Sequence, residues 1–147
     1  MEAELRSIVA YAGGRERAAT RAADAIRREL KQRWVGIYEV GERDIEIIGW
    51  SGGQGLPAHP RFPLTEGLCG AAVAARETIV AADVRLDPRY LEAFGTTRSE
   101  IVVPILLDGR VNGLIDVESD RVNAFGEPER SRLERAAAVL SPLWVRS

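Results

Sequence analysis

S-E-I-V-V-P-I-L-L-D-G-R-V-N-G-L-I-D-V-E-S, from Ser99 to Ser119, contains two apolar runs joined by Asp108-Gly109. Asp-Gly between such runs is the strongest short-range hairpin signal, because both residues tolerate the positive φ of a tight two-residue turn. The stretch predicts strands over Glu100–Leu107 and Arg110–Ser119. On the second strand Asp116 and Glu118 share one face, while Ile115, Val117, Val111 and Gly113 share the other. The apolar face reads as the one covered by helices. Two carboxylates side by side on a strand repel, so each needs water, a cation or a shared proton. A strict ladder from this turn pairs Leu107 with Arg110, Ile101 with Asp116 and Glu100 with Val117. That register turns Glu100 away from Asp116. A bulge near Pro104, or a strand that starts after Glu100, is required to bring Glu100 to the acidic face.

Working outward, Asp87-Pro88 predicts a helical turn through Phe94, with Asp as cap and Pro at the first position. Thr65–Glu77 reads as a short helix of small residues, Thr78–Ala81 as a brief strand and Ser51–Pro60 as a loop. Arg33–Val40 and Asp44–Trp50 form a second hairpin across Gly41-Glu42-Arg43. The chain begins with a helix over about Glu2–Ala12, stopped by Gly13-Gly14. A second helix, about Arg15–Gln32, lines up Ala19, Ala22, Ala23, Ile26 and Leu30 on one stripe. An alanine stripe permits close approach, either to a sheet or to a second copy of itself. The last helix starts near Pro128, carries Leu133, Ala136, Ala137 and Leu140 on its apolar face, and is kinked or ended by Pro142. The pattern is α+β with one central antiparallel sheet. It predicts one domain over 1–147: helices over 1–32, sheet and pocket over 33–122, and a C-terminal helix over 126–147.

The chain has 147 residues, long enough to bury a single core. Its 46% apolar and 29% charged content is ordinary for a globular protein, and a formal net charge of −2 argues against a nucleic-acid or membrane surface. Lys31 is the only lysine, but the arginines are scattered among acids and do not form a phosphate-gripping cluster. Cys69 is the only cysteine and His59 the only histidine. No intramolecular disulfide can form, and no Cys/His set exists for a structural zinc; neither a metal nor a cofactor is expected. The N-terminus has no basic leader followed by an apolar run, and no stretch approaches a membrane span. A cytoplasmic protein is expected.

Several words of the sequence resemble one family. R-W-V-G-I-Y (Arg33–Tyr38), T-E-G-L-C-G (Thr65–Gly70), S-E-I-V-V-P (Ser99–Pro104) and G-L-I-D-V-E-S (Gly113–Ser119) are similar, in order and spacing, to those of GAF domains of the free methionine-(R)-sulfoxide reductase type. The resemblance covers roughly Arg33 to Arg130. It implies an antiparallel sheet of about six strands, with terminal helices on one face and a ligand cavity on the other. It implies that Trp34 and Tyr38 wall the substrate cage and that Glu100, Asp116 and Glu118 are its carboxylates. Glu118 stands where the family has Asp. Cys69 corresponds to the family's resolving cysteine. The nucleophilic cysteine belongs seven residues before Glu100, at Ala93, and is absent.

Sulfoxide reduction needs a thiolate to attack sulfur and a second thiol to release the product. Alanine does neither, and Cys69 in an alanine-rich helix reads equally as a small core residue. Trp50, Phe62, Tyr90, Phe94 and Arg98 are further candidate wall residues for a small zwitterionic or cationic ligand. Asn123–Glu129 (N-A-F-G-E-P-E) lacks the lysine of cyclic-nucleotide GAF domains, and His59 is too far before Cys69 for bilin attachment. The expected function is therefore a GAF domain that binds a small polar or amino-acid-like ligand, sensory or regulatory, and homodimeric through its terminal helices. The alternatives are a methionine-(R)-sulfoxide reductase, active or vestigial, using Cys69 with a thioredoxin-type reductant, and a dimerisation scaffold.

Overall fold

The computed structural model describes residues 1–145. Helix α1 (Glu2–Tyr11) and helix α2 (Arg15–Leu30) come first, then strands β1 (Trp34–Val40), β2 (Asp44–Ser51) and β3 (Arg61–Pro63). Helix α3 (Gly67–Ala75), strand β4 (Ile79–Ala81), strands β5 (Ser99–Leu107) and β6 (Arg110–Ser119), and helix α4 (Glu127–Leu140) follow. The six strands form one antiparallel sheet in the order β3-β2-β1-β6-β5-β4. This is the α+β, GAF-like arrangement anticipated from the sequence. The short β3 adds a sixth strand beside β2, just past the loop read over Ser51–Pro60. The last two residues of the 126–147 segment lie outside the described residues.

One sheet face carries the core. Val35 and Ile37 of β1, Ile101, Val103 and Ile105 of β5, and Ile115 and Val117 of β6 are fully buried against Leu5, Ile8, Ile26, Leu133 and Leu140 of the helices. Each such side chain contributes about 1.5–3 kcal/mol by leaving water. Helix α2 lies on β1 and β2. Its Ala18, Ala19, Ala22 and Ala23 are wholly buried, so the alanine stripe faces the sheet. The approach is close enough that a Cβ on Gly49 would fall 2.4 Å from the Thr20 backbone nitrogen. The outward face of α2 is ionic: Arg28 bonds Asp24 at 2.9 Å and Glu4 at 2.8 Å. Scattered arginines thus act as surface partners of nearby acids.

The β5–β6 hairpin turns on Asp108-Gly109, both with positive φ (53° and 76°). Leu107 pairs with Arg110 and Leu106 with Val111, but Ile105 then pairs with Gly113. Asn112 is the extra residue, and its side-chain amide donates to the Arg110 carbonyl at 3.1 Å. The shift lies one residue from Pro104, as the acidic face required. It pairs Glu100 with Glu118 and Val102 with Asp116.

Three expectations need correction. The segment from Asp87 to Phe94 is not helical. A single 3₁₀ turn occurs earlier, at Val84–Leu86, where the Asp83 carboxylate accepts from the Arg85 amide at 3.0 Å. Asp87 does the same for Arg89 at 3.0 Å. Each Asp is also paired to the arginine two residues on, so both side chains close local turns instead of opening a helix. Helix α3 occupies Gly67–Ala75, shorter at both ends than Thr65–Glu77, because Thr65-Glu66 form a turn and Arg76 adopts φ 55°. Helix α4 begins at Glu127, where the Gly126 amide donates to Glu129 Oε1 at 2.6 Å, and gives way to a 3₁₀ turn over Ser141–Trp144 containing Pro142. Among the described residues no helix is long and apolar enough to cross a membrane.

Candidate functional site

Antiparallel pairing puts directly opposed residues on one face. Trp34 opposes Glu118, Gly36 opposes Asp116 and Tyr38 opposes Leu114. With Glu100 opposite Glu118, the face away from the core helices therefore carries Trp34, Tyr38, Glu100, Asp116 and Glu118 together. Helix α3 and the segments around Phe62 and Leu91 cover it, forming a second apolar cluster of Trp34, Tyr38, Ile45, Phe62, Leu68, Cys69, Val102 and Leu114. Between the two lies a cavity lined by Tyr38, Phe62, Leu68, Cys69, Leu91, Ala93 and the three carboxylates, with His59 and Glu92 exposed at its rim. Its free volume is about 20 Å³, room for about one water molecule.

The carboxylates are almost wholly enclosed: Glu100 is 5% exposed and Asp116 and Glu118 2% each. Among the described residues no lysine or arginine lines the cavity. Burial pushes the Glu100 carboxyl well above the usual carboxylate range, and the charges of Asp116 and Glu118 add to the rise. Burial likewise lifts Glu118, with Asp116 adding to it, while the Thr97 hydroxyl and the Arg33 charge pull the other way. Thr97 Oγ1 donates to Glu118 Oε1 at 2.9 Å. Asp116 is raised by burial to about 6, with the neighbouring Glu100 and Glu118 side chains acting against the rise. Three carboxyl groups whose charged forms are each disfavoured by burial thus share one enclosed space. Asp116 Oδ1 is buried without any hydrogen-bond partner among the described residues, as is the Tyr90 hydroxyl.

Cys69, on α3, meets the carboxylates. Its Sγ, one Glu100 oxygen and one Asp116 oxygen all lie within 4.8 Å of one another. The sulfur is thus a wall of the cavity and not merely core filling. Burial raises the thiol well above its usual range, and Asp116, Glu100 and Glu118 raise it further. An uncharged thiol is the resting form.

Tyr38 lines the cavity and stands edge-on to Phe62, centroids 5.8 Å apart. Trp34 lies behind the lining. Its indole covers Gly36, where a Cβ would meet the ring at 2.4 Å, and it stands edge-on to Phe94 at 5.2 Å. Its Nε1 donates to the Gly55 carbonyl at 2.9 Å, which ties the 51–60 loop over the sheet. Trp50 is half-buried in the same cluster. Arg98 turns back to the Thr97 carbonyl at 3.0 Å and does not line the cavity. Arg33 sends one nitrogen to Asp120 at 3.2 Å and another to Thr96 at 2.8 Å. Thr97 and Arg33, the groups that act on Glu118, carried no sequence signal: one lies in an irregular segment, the other just before a strand.

The sequence matches the GAF domain family model over residues 14–141. It is 35% identical over 107 residues to Protein YtsP of Bacillus subtilis, covering 73% of this chain and 65% of that protein. It is 32% identical over 111 residues to the free methionine-R-sulfoxide reductase of Saccharomyces cerevisiae, covering 74% of this chain and 61% of that one. The chain thus spans less than two thirds of the length of these two relatives. The fold superposes on the X-ray structure of free methionine-R-sulfoxide reductase from Neisseria meningitidis in complex with its substrate, with a TM-score of 0.88 and 28% identity, over 97% of this chain and 85% of that one.

Proposed function

The chain belongs to the GAF domain family, and on that footing we propose that it binds a small amino-acid-like or other cationic polar molecule at Glu100, Asp116 and Glu118, without converting it. One observation carries this reading: three enclosed carboxylates converge in a cavity that, among the described residues, no lysine or arginine lines. An ammonium group supplies the missing charge and donors, and the Tyr38 and Phe62 rings offer faces to a cation or an apolar stem. A molecule of amino-acid size exceeds the free volume of about 20 Å³, so the cavity widens to admit it. A sensory role, and a homodimer through the outward faces of α1, α2 and α4, belong to the same reading.

The absence of turnover rests on the thiols. Ala93 lines the cavity at the position that the sequence resemblance gives to the nucleophile. A second reading is favoured by the contact of Cys69 with Glu100 and Asp116. In it, the Cys69 S–H gives its proton to a carboxylate of the cluster, the sulfur attacks the sulfoxide sulfur while a glutamic acid protonates the sulfoxide oxygen, and the oxygen passes to Cys69 as its bond to the substrate sulfur breaks, leaving a thioether and a cysteine sulfenic acid. One external thiol then forms a mixed disulfide with loss of water, and a second restores Cys69.

Free methionine-(R)-sulfoxide, methionine and a thioredoxin recycling system separate the two. Binding without turnover predicts that both amino acids raise the melting temperature and that Asp116→Asn loses the rise, with no oxidation of reductant. Reductant consumption that disappears in Cys69→Ser overturns it in favour of the reductase.

A further inference from the structure

We propose that the same cavity takes a single divalent transition-metal ion, held by the sulfur of Cys69 and the carboxylates of Glu100 and Asp116. The three donors come from α3 and from the adjacent strands β5 and β6, which the fold brings together. Their donor atoms already lie within 4.8 Å of one another, a spread that modest side-chain rotations close to the first coordination sphere of one ion. Asp116 Oδ1 provides the independent pointer. It belongs to a residue 2% exposed and has no hydrogen-bond partner among the described residues. A buried oxygen of this kind calls for a cation or a donor beside it. The free volume of about 20 Å³ fits a single ion with no movement of the surrounding segments.

Donor chemistry selects the ion. One sulfur with two carboxylate oxygens suits zinc, cobalt(II) or iron(II); magnesium and calcium favour oxygen throughout. On binding, the Cys69 S–H bond breaks, sulfur bonds to the metal and the proton leaves to solvent. Protons on the bound carboxyl groups leave the same way, so that two negative oxygens and one thiolate face a doubly positive ion. Glu118, tethered by Thr97, remains beside the ion as an outer carboxylate. Because the metal shares Glu100 and Asp116 with the ammonium ligand proposed above, the two exclude one another.

Titration of metal-free protein with cobalt(II), in the absence of any amino acid, tests the site apart from the ligand-binding reading. The expected result is a near-ultraviolet thiolate-to-cobalt charge-transfer band that saturates at one equivalent, disappears in Cys69→Ser and disappears in Glu100→Gln. The surface variant Asp44→Asn keeps it. Far-UV circular dichroism restricts the comparison to variants that fold, and a zinc-induced rise in melting temperature, present in the parent and lost in Cys69→Ser, supports the same conclusion without spectroscopy. Absence of the band in the parent overturns the proposal, as does a band that survives in Cys69→Ser. A zinc-induced rise unchanged in Cys69→Ser places the metal on surface acids and also overturns it.

Discussion

Glu100, Asp116 and Glu118 make the empty protein sensitive to alkali. The folded value of Asp116, about 6, lies above the unfolded value of 3.8, and the glutamates are raised as well. The folded state therefore keeps protons that the unfolded chain has already lost. Stability from these groups is complete below about pH 4 and falls as pH rises through about 6, with Glu100 and Glu118 extending the fall upward. For Asp116 alone the loss is on the order of 3 kcal/mol. Melting temperatures of metal-free, ligand-free protein should decline between about pH 5 and pH 8, opposite in sign to the usual carboxylate contribution. Glu100→Gln should flatten the curve. A flat curve in the parent would mean that water or a counter-ion already satisfies the cluster.

At the scale of elements, the hairpin from Ser99 to Ser119 was the most legible part of the chain and its register the least. Asp108-Gly109 and the alternation around Ile115 and Val117 announce two strands and two faces. The position of Glu100 depends on one unpaired residue, which alternation does not reveal. Asn112 is that residue. On either side of it the faces alternate correctly, so deleting Asn112 should leave Glu100 opposite Glu118. The expected cost is about 1 kcal/mol, the net worth of its side-chain hydrogen bonding, read from the midpoint of urea unfolding. Loss of ligand-induced stabilisation in a folded deletion variant would show that the bulge's extra twist, and not register alone, shapes the cavity. The helical turn expected over Asp87 to Phe94 is missing from the Asp83–Arg98 stretch for a related reason. Its two Asp-x-Arg turns use local side-chain bonds that look, in sequence, like the beginning of a helix. Arg98 is a candidate wall residue for a zwitterionic ligand by its charge, whereas Thr97, uncharged and one position earlier, is the one that touches Glu118.

At the scale of the whole molecule, one sheet is shared between a helix-covered core and a covered acidic cavity. Kinship with free methionine-R-sulfoxide reductases is evident in fold and sequence. The cavity carries a single thiol, that of Cys69. The two layers use alternate residues of the same strands, so β1 and β6 each bear two messages at a spacing of two. Those messages separate in a saturation scan that reads cellular abundance and ligand response in parallel. Changes at Val35, Ile37, Ile115 and Val117 should lower abundance. Neutral replacements at Glu100 and Glu118 should raise abundance while silencing the ligand response, because removing an uncompensated buried carboxyl relieves the fold. A drop in both readouts at Glu100 would contradict this. The bare acidic triad would then be a feature that selection retains against the interest of folding: drift that ignores the ligand would erase it first, and its persistence in a lineage would be a record of use.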